Sequence, residues 1–401
     1  MILPLGDQPN PRGVPFVTYA LIAANVAVYA LIALPLSFTA PDPNDPALLE
    51  YVRVVTRNLA RPLPLRQVLE QVSAYDLFVF HYGFRPVAPS LVALFTSLFL
   101  HAGFLHLFGN MLFLWIYGDN VEHRLGRLPF LLSYLLTGVL ATLFHTVFAL
   151  SSALPLVGAS GAISGVLGFY FLWFPRNQVR LLVFFFPLLM NVITVPARIV
   201  LGLYLLADNL LPFLIAQEFG SGAGGVAYGA HIGGFAGGLA VAWFMDRREV
   251  VGRPAEFRAT PAAAGAYAPL AAALEDGRLA EAATTYFALP PEATRGLLAP
   301  QHSLALAGWL RHNGHAKAAL VVYRRHLRDY PRGAGAAAAH LGAGLVQLED
   351  LGQVAPAYQH FLDALELEPS PEIAEQARAA LAAITRLQKR QLGRLAGRPR
   401  E

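Results

Sequence analysis

Long apolar runs separated by short polar breaks constrain this chain more than any other feature. They occupy residues 16–34, 91–117, 128–150, 159–174, 197–215 and 226–244. A helix needs about 20 apolar residues to cross bilayer hydrocarbon. In that medium each backbone amide must be paired inside the protein, which favours helices. Only 14% of the residues are charged, against about 25% in ordinary soluble chains. A membrane-inserted helical bundle is therefore expected up to about Phe244. Beyond Met245 the chain becomes Ala-rich with frequent charges and reads as soluble.

The first run, 16–34, is longer than the roughly 7–15 apolar residues of a signal peptide, and Arg12 is the only cation before it. It reads as a span. Within residues 40–90, Leu48, Leu49, Val52, Val55 and Leu59 recur at helical spacing. They predict an amphipathic helix at the interface, or one packed on the membrane domain. The run 91–117 is too long for one simple span, so residues 91–100 are expected at the surface or entering at a slant. Residues 181–195 are short and interrupted by Pro187, with Pro196 following; they read as an interfacial connection. Six transmembrane helices result. Arg12, Arg124, Arg127, Arg176, Arg180, Arg198, Arg247 and Arg248 then fall on the cytoplasmic side with both termini, following the positive-inside rule. The loop 40–90, outside with five arginines, runs against it.

The chain has no cysteine, which removes disulfides, thiolate metal sites and a cysteine nucleophile. Its net charge of +4 is nearly all arginine, Lys317 and Lys389 being the only lysines. No dense basic stripe precedes the last dozen residues, so nucleic acid is not an expected partner.

The soluble part carries a period. Gly277, Gly314 and Gly352 are 37 and 38 residues apart. Alanine follows each by five residues (Ala282, Ala319, Ala357) and an aromatic by nine (Tyr286, Tyr323, Phe361). Pro331 and Pro369 fall seventeen residues after their glycines. Turn glycine, small crossing residue and aromatic ridge suit stacked helix pairs, and the pattern resembles about three degenerate tetratricopeptide repeats. An ordinary Ala-rich helical bundle is the alternative. The expected boundaries are a membrane domain 1–248, a Pro/Ala-rich linker 249–266, repeats 267–385 and a basic tail 386–401.

Polar groups inside the apolar runs point to a function, because they are costly there. With the N-terminus inside, the runs holding His106, Ser160 and His231 all pass from outside to inside. At 1.5 Å per residue, these groups and Asn110 fall within roughly 10 Å of one depth, in the outer third of the membrane. Gly161, Gly165 and Gly168 on one run, and Gly233, Gly234, Gly237 and Gly238 on another, would let two helices approach closely. A serine hydroxyl needs a base to become nucleophilic, and neutral imidazole is one near pH 7. His231 has no carboxylate beside it, so a dyad is expected. Asp208 is a possible third member, although an Asp208–Asn209 pair facing a wet cavity or a neighbouring helix fits better. His106 and Asn110, spaced i, i+4, share a helix face and with the Ser160 backbone N–H provide donors for an oxyanion. His101 is expected to hold a loop or water network, and His123 and His145 to be structural or solvated. Ser164 is the rival nucleophile. No His-Glu-xx-His spacing is present, and no metal or cofactor is expected.

At these residues the sequence resembles the rhomboid intramembrane serine proteases. The matching pieces are His101-Ala-Gly-Phe-Leu-His106-Leu-Phe-Gly-Asn110, Tyr117-Gly-Asp-Asn-Val-Glu122-His-Arg124-Leu-Gly126, Gly158-Ala-Ser160-Gly161 and Ala230-His231-Ile-Gly-Gly-Phe-Ala-Gly-Gly238. The resemblance spans about residues 16–245 and leaves out the C-terminal repeats. It implies Ser160 as nucleophile, His231 as general base, His106 and Asn110 as oxyanion contacts, and Glu122 with Arg124 as a structural ion-pairing motif. Where many members carry Trp-Arg in the first extramembrane loop, this chain has Val92-Ala93. The fold class implied is all-α, a six-helix membrane bundle with a soluble helical repeat domain, in the cell membrane. The activity implied is cleavage of transmembrane substrate proteins within the lipid bilayer, with a substrate helix entering past residues 197–215 and residues 216–225 as a lid. The repeats would bind a protein partner. A non-catalytic member that binds membrane helices is the alternative.

Overall fold

The computed structural model describes every residue except 1, 12, 58–68, 186–188, 220–226, 252–266, 334 and 397–401. Most of the expected lid, most of the expected linker and the end of the basic tail lie outside the described residues. The chain divides into two compact units. The first comprises Met1–Asp7, Gly13–Pro175 and Val179–Ala242; the second comprises Gln8–Arg12, Arg176–Gln178 and Trp243–Glu401.

In the first unit, strand β1 (Ile2–Gln8) precedes a 22-residue apolar helix α1 (Phe16–Ser37). Pro15 caps α1 and offers it no side-chain hydrogen bond. The free N–H groups are satisfied from a distant helix: the Glu122 carboxylate accepts from Val17 N at 2.9 Å, Thr18 N at 2.7 Å and Thr18 Oγ1 at 2.8 Å. Arg124 lies over the Trp173 ring, 4.2 Å from its centroid. The described role of Glu122 is thus a helix cap.

Helix α2 (Pro46–Arg57) is amphipathic as expected, with Leu48 and Val52 turned inward, Leu49 exposed and Leu59 outside the described residues. Leu48 and Val52 pack on Leu77 of α3 (Ala74–Tyr82). A capping box between Ser73 and Asp76 starts α3. Helix α4 (Leu91–Thr96) continues through one 3₁₀ turn to Phe99, then bends by 86° into α5 (Phe104–Leu125). The run 91–117 is thus two helices with a sharp break and not one straight span. With no Trp-Arg pair, the loop is fastened by Arg85, which pairs with Glu50 at 2.7 Å and lies over Phe80, and by Tyr75, whose hydroxyl donates to the His101 carbonyl at 2.9 Å.

Gly126, at φ +85°, joins α5 directly to α6 (Arg127–Phe148). Helix α7 (Ser160–Trp173) is short, apolar and buried on all sides, with Ala162, Leu167 and Tyr170 fully covered. Strands β2 (Gln178–Phe185) and β3 (Leu189–Pro196) follow and form a three-stranded sheet in the order β1-β2-β3. An all-α fold is therefore corrected to a mainly helical one. The residues read as an interfacial connection are rich in β-branched and aromatic side chains (Val183, Phe184, Val192, Ile193, Val195), and these favour strands.

Helix α8 (Ala197–Ala216) contains a π turn at Leu206–Leu210, and α9 (Tyr228–Val251) closes the membrane part. By length and apolarity, α1, α6 and α8 are long enough to span a bilayer among the described residues, and the bent α4–α5 pair is a fourth candidate. Helix α7 is 14 residues long, about 21 Å, against a hydrocarbon layer of about 30 Å.

The second unit contains α10 (Tyr267–Glu275), α11 (Leu279–Ala288), α12 (Pro300–His312), α13 (Ala316–Asp329), α14 (Ala336–Leu345), α15 (Val354–Glu366) and α16 (Pro371–Ala396). The periodic glycines lie in the tight turns α10–α11, α12–α13 and, after a π turn, α14–α15, all with positive φ. Ala282, Ala319 and Ala357 are fully buried where the helices cross, and Tyr286, Tyr323 and Phe361 fill the core beside them.

Candidate functional site

The arrangement of α7 follows from its glycines. A β-carbon on Gly234 would lie 2.0 Å from the Gly161 carbonyl oxygen, and one on Gly238 would lie 2.0 Å from the Gly165 oxygen. Helices α7 and α9 therefore touch backbone to backbone, and only glycine permits it. On its other side α7 meets α6, where a β-carbon on Gly165 would strike Thr137. Helix α7 is held between longer helices, and its first residue is Ser160.

Above Ser160 is a cavity of about 510 Å³. Its lining includes Ser160 of α7, His106 and Asn110 of α5, Tyr204 of α8 and His231 of α9. All four residues singled out in the sequence reach it. Gly158, at φ +121°, lets the backbone pass under His106. A β-carbon there would lie 2.8 Å from the His106 ring and 3.7 Å from Ser160 Oγ. Asn110 is 8% exposed, and its Nδ2 is buried with no hydrogen-bond partner among the described residues. A buried donor of that kind is costly unless something accepts from it.

His231 has a partner that the sequence did not single out for it. Its Nδ1 lies 2.6 Å from Oδ1 of Asn209, which is 1% exposed. The Asn209 amide cannot be turned round, because its Nδ2 donates to the Tyr204 carbonyl oxygen at 2.8 Å. Oδ1 can only accept, so His231 Nδ1 must carry the proton. That leaves Nε2 as the lone-pair nitrogen. Asp208, weighed as a possible third member, is exposed, in keeping with the dyad expected from the sequence. The π turn at Leu206–Leu210 is the cause, since its wider spacing brings Asn209 over Tyr204, five residues back, and turns it inward. Tyr204 also stacks near His231, with centroids 6.5 Å apart at 29°.

Ser164 is fully buried and bonded to the Tyr204 hydroxyl at 3.0 Å, and it does not line the cavity. His101 is buried against His106, ring centroids 5.2 Å apart, and its backbone is held by Tyr75. His123 bonds the Asp119 carbonyl one turn back. Tyr204 and Asn209 had one signal in the sequence: polar groups inside the apolar run 197–215, the same cost argument that marked Ser160.

Fold and cavity define a membrane protein whose apolar helices enclose a small set of hydroxyl, amide and imidazole groups. Residues 88–248 match the rhomboid domain family. The chain is 29% identical over 167 residues to rhomboid protein 1, mitochondrial, of Saccharomyces cerevisiae, covering 39% of this chain and 43% of that one. It is 45% identical over 75 residues to rhomboid protease GluP of Bacillus subtilis (19% and 14%). It is 44% identical over 71 residues to rhomboid-like protein 11, chloroplastic, of Arabidopsis thaliana (18% and 25%). The chain thus spans less than half the length of each of these relatives, and the matches support the rhomboid family.

Proposed function

We propose that the protein is an intramembrane serine endopeptidase that cuts transmembrane segments of other membrane proteins. The observation that carries this reading is the convergence of Ser160, His231, His106 and Asn110 on one cavity, with the His231 tautomer fixed by Asn209. Ser160 Oγ attacks the peptide carbonyl carbon while its proton passes to His231 Nε2. The carbonyl oxygen becomes an oxyanion, which accepts from Asn110 Nδ2, the His106 ring and the Ser160 backbone N–H. The tetrahedral intermediate collapses, the C–N bond breaks, and the imidazolium returns its proton to the leaving amine. Water then releases the acyl group by the same route. Asn209 Oδ1 accepts from Nδ1–H throughout, so the ring cannot turn its protonated edge toward the serine.

In this reading water reaches Ser160 through the cavity at the N-terminus of the short helix α7. In this reading the chain crosses the membrane six times with both termini in the cytoplasm, and α5, α7 and α9 complete the bundle. The helix pairs of the second unit are tetratricopeptide-like and bind a protein partner. Reconstituted protein should cleave a transmembrane reporter and label at Ser160 with a fluorophosphonate. Ser160→Ala and His231→Ala should each abolish cleavage. A folded wild-type protein that neither labels nor cleaves would instead be a non-catalytic binder of membrane helices.

A further inference from the structure

The second unit carries a cluster of metal-ligating side chains unconnected with the cavity chemistry. His340 lies on α14, and His360 and Asp363 lie one turn apart on α15, across the turn made by Gly352. One ligand atom from each comes within 4.8 Å of the others. His340 Nδ1 is 2.9 Å from His360 Nδ1 and 3.6 Å from Asp363 Oδ2. Two ligands on a tetrahedral zinc, with bonds of about 2.0–2.1 Å, stand roughly 3.3–3.4 Å apart. The two separations bracket that value, and side-chain rotation that draws His360 and Asp363 together from within 4.8 Å closes the site.

Three features favour a cation over a hydrogen-bonded histidine pair alone. The donor set, two imidazole nitrogens and one carboxylate oxygen, suits a borderline dication such as Zn²⁺. The carboxylate is already oriented: Arg176 Nη1 holds Asp363 Oδ1 and leaves Oδ2 toward the histidine, the kind of outer hydrogen bond that fixes metal ligands. A cavity of about 510 Å³ adjoins His340 and Asp363, with Glu366, Glu368, Arg176 and Arg332 also on its wall. It leaves room for a fourth ligand.

We propose that His340, His360 and Asp363 bind one transition-metal dication of the zinc class, which ties α14 to α15 and stiffens the third helix pair. The full chain in detergent, stripped with a chelator, should be titrated with Co²⁺. One equivalent giving the visible bands of tetrahedral cobalt, displaced by Zn²⁺, is the expected result. His340→Ala and His360→Ala should weaken binding at least tenfold while circular dichroism in chelator matches the parent. A Co²⁺ response equal in the parent and in the His340→Ala, His360→Ala double variant overturns the proposal, whether both bind or neither does. Zinc-edge absorption of the parent covers the case in which a variant misfolds. A first shell containing two imidazoles supports the site, and one without imidazole overturns it.

Discussion

Glycine does opposite work in the two units, and the contrast shows how each is held together. In the membrane unit, Gly161, Gly165, Gly234 and Gly238 are interior helix residues whose value is the missing β-carbon. In the helical unit, Gly277, Gly314 and Gly352 have open space around them. Their value is a positive φ that ends one helix and starts the next. One unit uses glycine to bring backbones together, because apolar side chains gain nothing by leaving lipid for each other. The other buries Ala and aromatic side chains away from water and needs glycine only to turn the chain.

The strongest way to break the contrast is Gly238→Ala. A β-carbon 2.0 Å from one backbone oxygen and 2.7 Å from a backbone carbon has no side chain to push aside. The two helices must separate. We expect a loss of about 3 kcal/mol or more, read as a fall in the unfolding midpoint in detergent, with cleavage lost as well. A variant as stable as the parent would mean that α7 and α9 do not touch there.

Buried polar groups sharpen the comparison next. Glu122 is 3% exposed and caps α1 from α5. Glu122→Gln keeps the shape but replaces one accepting oxygen by a donor facing N–H groups. A cost of about 2–3 kcal/mol is expected, seen in the same unfolding assay while fluorophosphonate labelling of the surviving folded protein continues.

Asn209→Ala tests the cavity rather than the scaffold. Freed from its partner, His231 can take the wrong tautomer, and kcat should fall about 10–100-fold with KM little changed, an energy of about 1.4–2.7 kcal/mol. Asn209→Asp should restore part of the rate: its carboxylate also accepts from Nδ1, while its second oxygen faces the Tyr204 carbonyl that the amide had satisfied. It should also move the acidic limb of the pH–rate profile to higher pH, since a negative neighbour favours imidazolium. A scaffold defect would produce neither the rescue nor the shift.

The same residues show what the sequence made legible. Ser160, His231, His106 and Asn110 stood out because hydroxyl, imidazole and amide groups are expensive in apolar runs, and that cost does not depend on backbone detail. The glycine turns of the helical unit were readable for a similar reason: a period of 37–38 residues survives any local irregularity. Asn209 was not assigned to His231, because face assignments assume 3.6 residues per turn and the π turn at Leu206–Leu210 breaks that count. The strands β2 and β3 were hidden by the prolines near them. The pairing of β2 with β1 joins Gln178–Phe185 to Ile2–Gln8, at the other end of the first unit's sequence, a relation that no local pattern carries.

The gentlest test returns to the turns. Gly314 sits at φ +81°, and a β-carbon added to it would have no neighbour within 4 Å, so Gly314→Ala meets no steric obstacle from the residues around it. Its cost is conformational alone, about 1–2 kcal/mol for an L-residue held in the left-handed region. Gly314→Asn should cost less, because asparagine tolerates that region better. Thermal unfolding followed by circular dichroism should rank parent, Asn and Ala in that order, with cleavage of the membrane reporter unchanged in all three. Equal stability of the Ala variant and the parent would show that the turn can relax to negative φ, and the division of labour between the two sets of glycines would lose one of its halves.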